Sequence, residues 1–407
     1  MHKIEKLLQT LAPKGVEFRK LGEVLEYDQP NQYCVTSKEF DKSYPTPVLT
    51  AGKTFILGYT NEKDNIYQAS KSSPVIIFDD FTTATQWVDF PFKVKSSAMK
   101  ILLPKNPTIN IRFIFFYMQT IPYNISGEHT RQWISRYSQL EVPIPPLEVQ
   151  QEIVKILDAF TELNTELNTE LKARKKQYEY YQNMLLDFKG IHQNHKDAKE
   201  KLAQKTYPKR LKTLLQTLAP KGVEFRKLGE VLEYDQPNQY CVTSKEFDKS
   251  YPTPVLTAGK TFILGYTNEK DNIYQASKSS PVIIFDDFTT ATQWVDFPFK
   301  VKSSAMKILL PKNPTINIRF IFFYMQTIPY NISGEHTRQW ISRYSQLEVP
   351  IPPLEVQQEI VKILDAFTEL NTELNTELKA RKKQYEYYRE KLLTFKPLTP
   401  HKEVKKC

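Results

Sequence analysis

The stretch VPIPPLEVQQEIVKILDAF, residues 142–160, decides how this chain folds. Pro143, Pro145 and Pro146 hold the backbone extended and withhold amide donors, so they close whatever domain comes before. Pro146 suits the first turn of a helix, where its missing N–H costs nothing. Neither Gly nor Pro interrupts residues 147–189. A helix of that length would extend roughly 60 Å. Glu148 and Glu152 sit at its positive end, with Lys172, Arg174, Lys175 and Lys176 towards its negative end.

Along this helix an apolar seam runs through Ile153, Ile156, Phe160, Leu163, Leu167, Leu171, Arg174, Tyr178, Tyr181 and Leu185. The spacing is heptad-like with one additional step of four, a stutter that falls in TELNTELNTELK. Arg174 breaks the apolarity, and Ala173 beside it is a candidate to take the contact. The same helix recurs over residues 354–396. Two such seams in one chain are expected to pair as an intramolecular antiparallel coil; the alternative is that each packs on its own domain.

The recurrence reaches far beyond the helix. Residues 7–181 return as 214–388 without a mismatch, offset by 207. A unit of 175 residues is a domain-sized duplication, not a solenoid repeat. Identical folded units in one chain are expected to associate about a two-fold axis. A DNA ligand, if there is one, would carry matching dyad symmetry.

Upstream of the prolines, residues 2–11 predict a short helix ended by Pro13 and Gly15, with a counterpart at 209–218. Residues 16–142 alternate short apolar runs with turn residues, including 47–49, 54–57, 75–78 and 98–103, and 110–120 predicts a helix. This is a compact mixed α/β (α+β) domain. The organisation expected is domain 1 at 1–142, a long helix at 143–190, a basic linker and helix start at 191–213, domain 2 at 214–349, the second long helix at 350–396 and a basic tail at 397–407.

The formal net charge is +10, yet residues 7–181 carry 20 basic and 20 acidic residues. The excess lies in 189–213 (+6) and 389–407 (+4), which read as solvated, partly flexible segments. The linker is expected to prolong the first long helix briefly and turn at Pro208. Three cysteines make no disulfide or zinc pattern, and the chain has neither a signal-like start nor an apolar stretch of membrane-spanning length. A reduced, cytoplasmic protein is expected. Phosphate-loop, dinucleotide and amino-methyltransferase signatures are missing. Asp79 and Asp80 read as turn or cap residues, and His129 as a surface or binding residue. No catalytic residue, metal ligand or cofactor site is assigned.

Binding features concentrate in residues 53–136, which hold ten basic and six acidic side chains. Candidate DNA contacts are Lys53, Tyr59, Lys63, Gln86, Lys93, Lys95, Arg131, Gln132 and Arg136. Their second-copy counterparts are Lys260, Tyr266, Lys270, Gln293, Lys300, Lys302, Arg338, Gln339 and Arg343. Arg pairs bidentately with guanine and Gln with adenine, whereas Lys usually meets phosphate. Trp87, Trp133 and Tyr137 read as packing aromatics.

GVEFRKLGEVLEY at 15–27 and ISGEHTRQWISRYSQLEVPIPPLEVQQEIVKILD at 125–158, each duplicated, resemble the specificity subunit of Type I restriction–modification systems. The Pro-Pro-Leu-x-x-Gln helix entry is the most specific part. The resemblance implies two target-recognition domains in inverted orientation, joined by an antiparallel coil that fixes the spacer of a split site on double-stranded DNA. It implies no catalysis by this chain. Two modification subunits would methylate adenine with S-adenosylmethionine, and restriction subunits would use ATP and Mg2+. Family members usually carry two different recognition domains; identity here implies a palindromic, interrupted site. The number of TELN units is then expected to adjust the spacer, since four residues add about 6 Å and 40° to a helix. The other class of function that the residues allow is a coiled-coil protein-interaction scaffold with two identical binding domains.

Overall fold

The computed structural model describes residues 2–50, 54–122, 131–193, 197–257, 261–329 and 338–398. The chain forms two compact units that do not follow the sequence halves: one comprises residues 1–169 and 376–407, the other residues 170–375.

In the first unit, α1 (His2–Leu11) leads into β1 (Glu17–Lys20), α2 (Leu21–Val24) and β2 (Leu25–Asp28). Strands β3 (Thr46–Leu49), β4 (Ile56–Thr60), β5 (Val75–Asp79), β6 (Thr85–Val88), β7 (Lys93–Val94) and β8 (Met99–Pro104) follow. Then come α3 (Ile111–Met118), α4 (Gln132–Ser135), β9 (Glu141–Ile144) and the long α5 (Leu147–Leu185). A four-stranded sheet in the order β2-β8-β5-β6 stacks on a three-stranded sheet in the order β4-β3-β7. Strand β5 is buried throughout because both its faces are covered. Ile76 and Phe78 pack towards α3, while Val75 and Ile77 pack towards the smaller sheet. The expected apolar runs are therefore strands, with β4 beginning two residues later than predicted. Helix α3 is real: Asn110 caps it by accepting from the Arg112 and Phe113 amides.

Pairing of β1 with β9 closes the domain, with Phe18 opposite Pro143. The chain then enters α5 at Leu147, and the Pro146 carbonyl accepts from the Gln150 amide. Pro146 thus stands just before the helix and not within its first turn. Gln150 is fully buried. Its amide donates to the carbonyls of Pro145 (2.7 Å) and Thr108 (3.1 Å) and accepts from the Asn110 N–H (2.8 Å). One side chain joins the proline bend, the loop before α3 and the cap of α3.

Val149, Ile153 and Leu157 of α5 are buried in the domain core. Phe160, one turn on, stacks on Tyr388 with ring centroids 5.5 Å apart. Packing on the domain and pairing between helices both occur, from successive stretches of one stripe along the same helix. Arg112 ties α3 to α5: its guanidinium reaches Asp158 at 2.7 Å and lies 4.4 Å over the Trp87 ring. Ala173 does not take the seam position, being exposed; Arg174 is half-buried and held by Glu170 and Gln177 of its own helix. The helix passes unbroken through the TELN units, where the hydroxyls of Thr161, Thr165 and Thr169 each donate to the carbonyl four residues back.

The second unit repeats these elements 207 residues on and adds a connector. Helix α5 ends at Leu185, earlier than expected, and the connector forms α6 (Ala198–Gln204), which the sequence did not announce, and α7 (Lys209–Leu218). The remaining helices are α8 (Leu228–Val231), α9 (Ile318–Met325), α10 (Gln339–Ser342) and α11 (Leu354–Leu393). The connector is not a solvated tether. Ile191, Leu202, Tyr207 and Leu211 are buried, and the Tyr207 hydroxyl donates to the Asp187 carbonyl at 2.6 Å. Within this unit the end of α5 runs antiparallel to the start of α11, with Tyr181 stacked on Phe367 at 5.0 Å.

Gly15 has φ +114, and a Cβ there would meet the Pro397 carbonyl at 2.8 Å. Val16 beside it bonds Lys396 and Leu398 through its backbone. Gly222 and Val223 make the equivalent approach to residues 191–193, with φ +101 at the glycine. Only glycine fits where the backbone turns left-handed against another strand.

Candidate nucleic-acid interface

The candidate contacts divide between two places in each domain. Tyr59, Lys63, Lys93 and Lys95 belong to the three-stranded sheet and its loops. Lys63 and Lys95 are exposed, Tyr59 is half-buried, and the Lys95 ammonium lies 5.3 Å over the Phe40 ring. Gln86 is exposed on edge strand β6, opposite Ile77. Arg131, Gln132 and Arg136 gather around α4. The second copy repeats the pattern with Tyr266, Lys270, Lys302, Gln293, Arg338, Gln339 and Arg343. Lys53, Lys260, His129 and Thr130 lie outside the described residues.

Lys93 and Lys300 are corrections. Each is 3% exposed, and the parallel pairing of β7 with β3 carries Lys93 inside. Its ammonium donates to the Asp64 carbonyl at 2.8 Å and sits 3.0 Å from Glu62. Glu62 in turn accepts from the amides of Thr36 and Ser37. Burial pushes the Glu62 carboxyl up, but the Ser37 amide, Lys93 and Thr36 together outweigh it and hold the pKa at about 2. A lysine enclosed in this way braces the loop at residues 35–37 and cannot reach a phosphate.

Asp79 and Asp80 are turn and cap residues, as read. Asp79 accepts from the amides of Phe81 (2.9 Å) and Thr82 (3.2 Å), tightening the turn between β5 and β6. Thr83 at that turn has φ +61, a region that β-branched residues avoid. Asp80 faces the opposite way and is fully buried. Its Oδ1 accepts from the Trp133 amide at 2.8 Å, and its backbone carbonyl accepts from the Gln132 amide at 2.8 Å. Thus the strand end caps α4 from 53 residues away. Trp133 and Tyr137 are buried against Phe78, which anchors the helix from below.

The second oxygen, Asp80 Oδ2, is buried without a hydrogen-bond partner among the described residues. Lys100 Nζ lies 3.4 Å from it and Arg131 Nη1 4.0 Å. Lys100 is only 1% exposed; it donates to Gln29 Oε1 at 2.9 Å and sits 4.2 Å over the Tyr27 ring. Arg131 is 50% exposed, with one edge towards the carboxylate. The second copy matches, with Lys307 at 3.7 Å and Arg338 at 4.0 Å from Asp287. Burial lowers the pKa of Lys307; Asp287 opposes that and Arg338 adds to it. The sequence reading missed Lys100, Gln29 and Tyr27. An isolated lysine in an otherwise apolar strand, MKILLP, was the available signal.

The arrangement presents scattered cations and amides on a sheet edge and a helix corner, and the described residues include no group of three His, Cys, Asp or Glu side chains placed to hold a metal. Among them no helix is long and apolar enough to cross a membrane. The fold is that of a solved Type I restriction–modification S subunit from M. genitalium, matched with a TM-score of 0.63 at 14% identity over 93% of this chain and 96% of that one. The Type I restriction modification DNA specificity domain matches twice, over residues 13–176 and 220–382. A Type I restriction enzyme specificity subunit from Escherichia coli is 35% identical over 435 aligned positions, covering 98% of each chain. A putative one from Haemophilus influenzae is 28% identical, covering 96% of this chain and 98% of that one. The chain belongs to the Type I restriction–modification DNA specificity family.

Proposed function

We propose that this chain directs a Type I restriction–modification complex to a split DNA site, each domain reading one half and the chain itself performing no chemistry. The observation that carries this reading is the family domain matched twice, in two stretches of identical sequence. Identical surfaces read identical bases, so the site is an interrupted palindrome. Modification subunits bound to this chain supply adenine methylation and hold S-adenosylmethionine; restriction subunits supply the ATP- and Mg2+-dependent steps. The exposed Lys63, Lys95, Lys270 and Lys302 take phosphate, while the α4 and α10 corners face bases. The number of TELN units sets the spacer.

The test is co-expression with the cognate modification subunit in a host lacking adenine methylation, followed by genome-wide mapping of methylated adenines. One palindromic split motif, methylated on both strands, is expected. A direct repeat or an asymmetric motif rejects the palindrome. Complex formation without methylation rejects the specificity role and favours the interaction scaffold.

A further inference from the structure

Among the described candidates, Arg131 stands out for the charged groups around it. Its backbone begins α4, and the next two amides are fixed by Asp80, through the carbonyl and through Oδ1. Its guanidinium has one edge 4.0 Å from the buried, hydrogen-bond-free Asp80 Oδ2 and is half open to solvent. Lys100, buried behind the carboxylate, is itself fixed by Gln29 and Tyr27. The same geometry stands in the second copy at Asp287, Lys307 and Arg338.

Such an arrangement suits one ligand chemistry better than another. Attraction to phosphate is long-ranged and tolerant of direction, so it needs no buried anchor. The carboxylate beside the arginine is balanced by Lys100 at 3.4 Å, so it adds no pull on an anion and instead biases which way the guanidinium points. The N7 and O6 edge of guanine is neutral. It demands two donors in one fixed plane and tolerates a nearby carboxylate. A buried ion pair is expensive in desolvation, and fixing a geometry is one use that offsets this.

We infer that Arg131 and Arg338 each read one guanine in their half-site, and that Asp80 with Lys100, and Asp287 with Lys307, are positioning residues that draw one edge of the guanidinium inward. The inference rests on the reading of this chain as a DNA-specificity subunit and names the base contact within it.

The experiment uses the full chain in complex with its modification subunit, with methylated adenines mapped genome-wide. Arg131→Lys alters an exposed side chain in one copy only. It is expected to make a single G·C position degenerate in one half-site, losing about ten- to hundredfold discrimination there. The other half, read by the identical second domain, is unchanged and serves as the internal control. Arg131→Lys with Arg338→Lys relaxes both halves. Asp80→Asn relaxes the same position as Arg131→Lys while the complex still forms. Should Asp80→Asn not fold, Lys100→Gln, which leaves the Asp80 bond to Trp133 in place, carries the same expectation. An unvaried half-site without guanine overturns the inference. So does an Arg131→Lys protein that keeps the whole motif and loses only salt-sensitive affinity, since that marks a phosphate contact. A folded Asp80→Asn or Lys100→Gln protein with an unrelaxed motif overturns the positioning role. Absence of any methylated motif from the unvaried complex instead strikes the underlying functional reading.

Discussion

Replacing Gln150 with leucine removes every hydrogen bond of its amide at nearly constant volume. Three backbone groups lose their partner: the carbonyls of Pro145 and Thr108 and the N–H of Asn110. Pro145 is buried, so its carbonyl cannot turn to water. Thr108 is exposed and Asn110 half-buried, so their groups recover part of the loss. At about 1–3 kcal/mol for each buried group left unsatisfied, Gln150→Leu should cost about 2–5 kcal/mol. With a urea dependence of about 2–3 kcal/mol per molar, towards the upper end for a unit of this size, the unit containing the substitution should unfold roughly 0.7–2.5 M earlier. Duplication supplies the control. Gln357 makes the same three bonds in the second unit, so a single substitution should split one transition into two. Gln151→Leu, at the exposed neighbouring position, should shift stability by no more than about 0.5 kcal/mol. Urea unfolding followed by circular dichroism reads all of this. A Gln150→Leu protein with an unshifted, single transition would refute the claim that this side chain locks the helix entry.

Lys63→Ala and Lys95→Ala should each lower the slope of log affinity against log salt by about one, read by binding to duplex across a salt series. Lys93→Met should leave that slope alone and destabilise its unit instead, because the ammonium is spent on Glu62 and Asp64. Glu62 and Glu269 are held at about 2, below their ordinary 4.5, so they stabilise the fold above pH 4.5 and lose that contribution as pH falls towards 2. The stability gap between the unvaried chain and Glu62→Gln should therefore be constant near neutrality and close between pH 4.5 and 2, as followed by acid unfolding. Gly15→Ala should destabilise the first unit, since a Cβ would strike the Pro397 carbonyl at 2.8 Å and φ is +114; an unchanged melting temperature would argue against that close approach.

Local signals settled much of this molecule before any contact was known. Prolines 143, 145 and 146 mark where the domain stops, and the uninterrupted run after them gives a long helix because helix breaking is a property of the residue itself. Asn110 announced the start of α3, paired aspartates announced a turn and a cap, and exact duplication announced two equal domains. Contacts between distant residues were not legible. Lys93 looked like a surface cation until β7 paired with β3 and placed it beside Glu62, 31 residues earlier in the chain. Gln150 looked like one more polar position on a helix until the fold brought the loop before α3, about 40 residues upstream, against it. Asp80, Lys100 and Arg131 come from a strand end, the middle of another strand and a helix start, and no periodicity links them. Sequence records each residue's own conformational preference. Whether a charge meets solvent or a buried partner depends on which strands pair, and only the tertiary structure decides that.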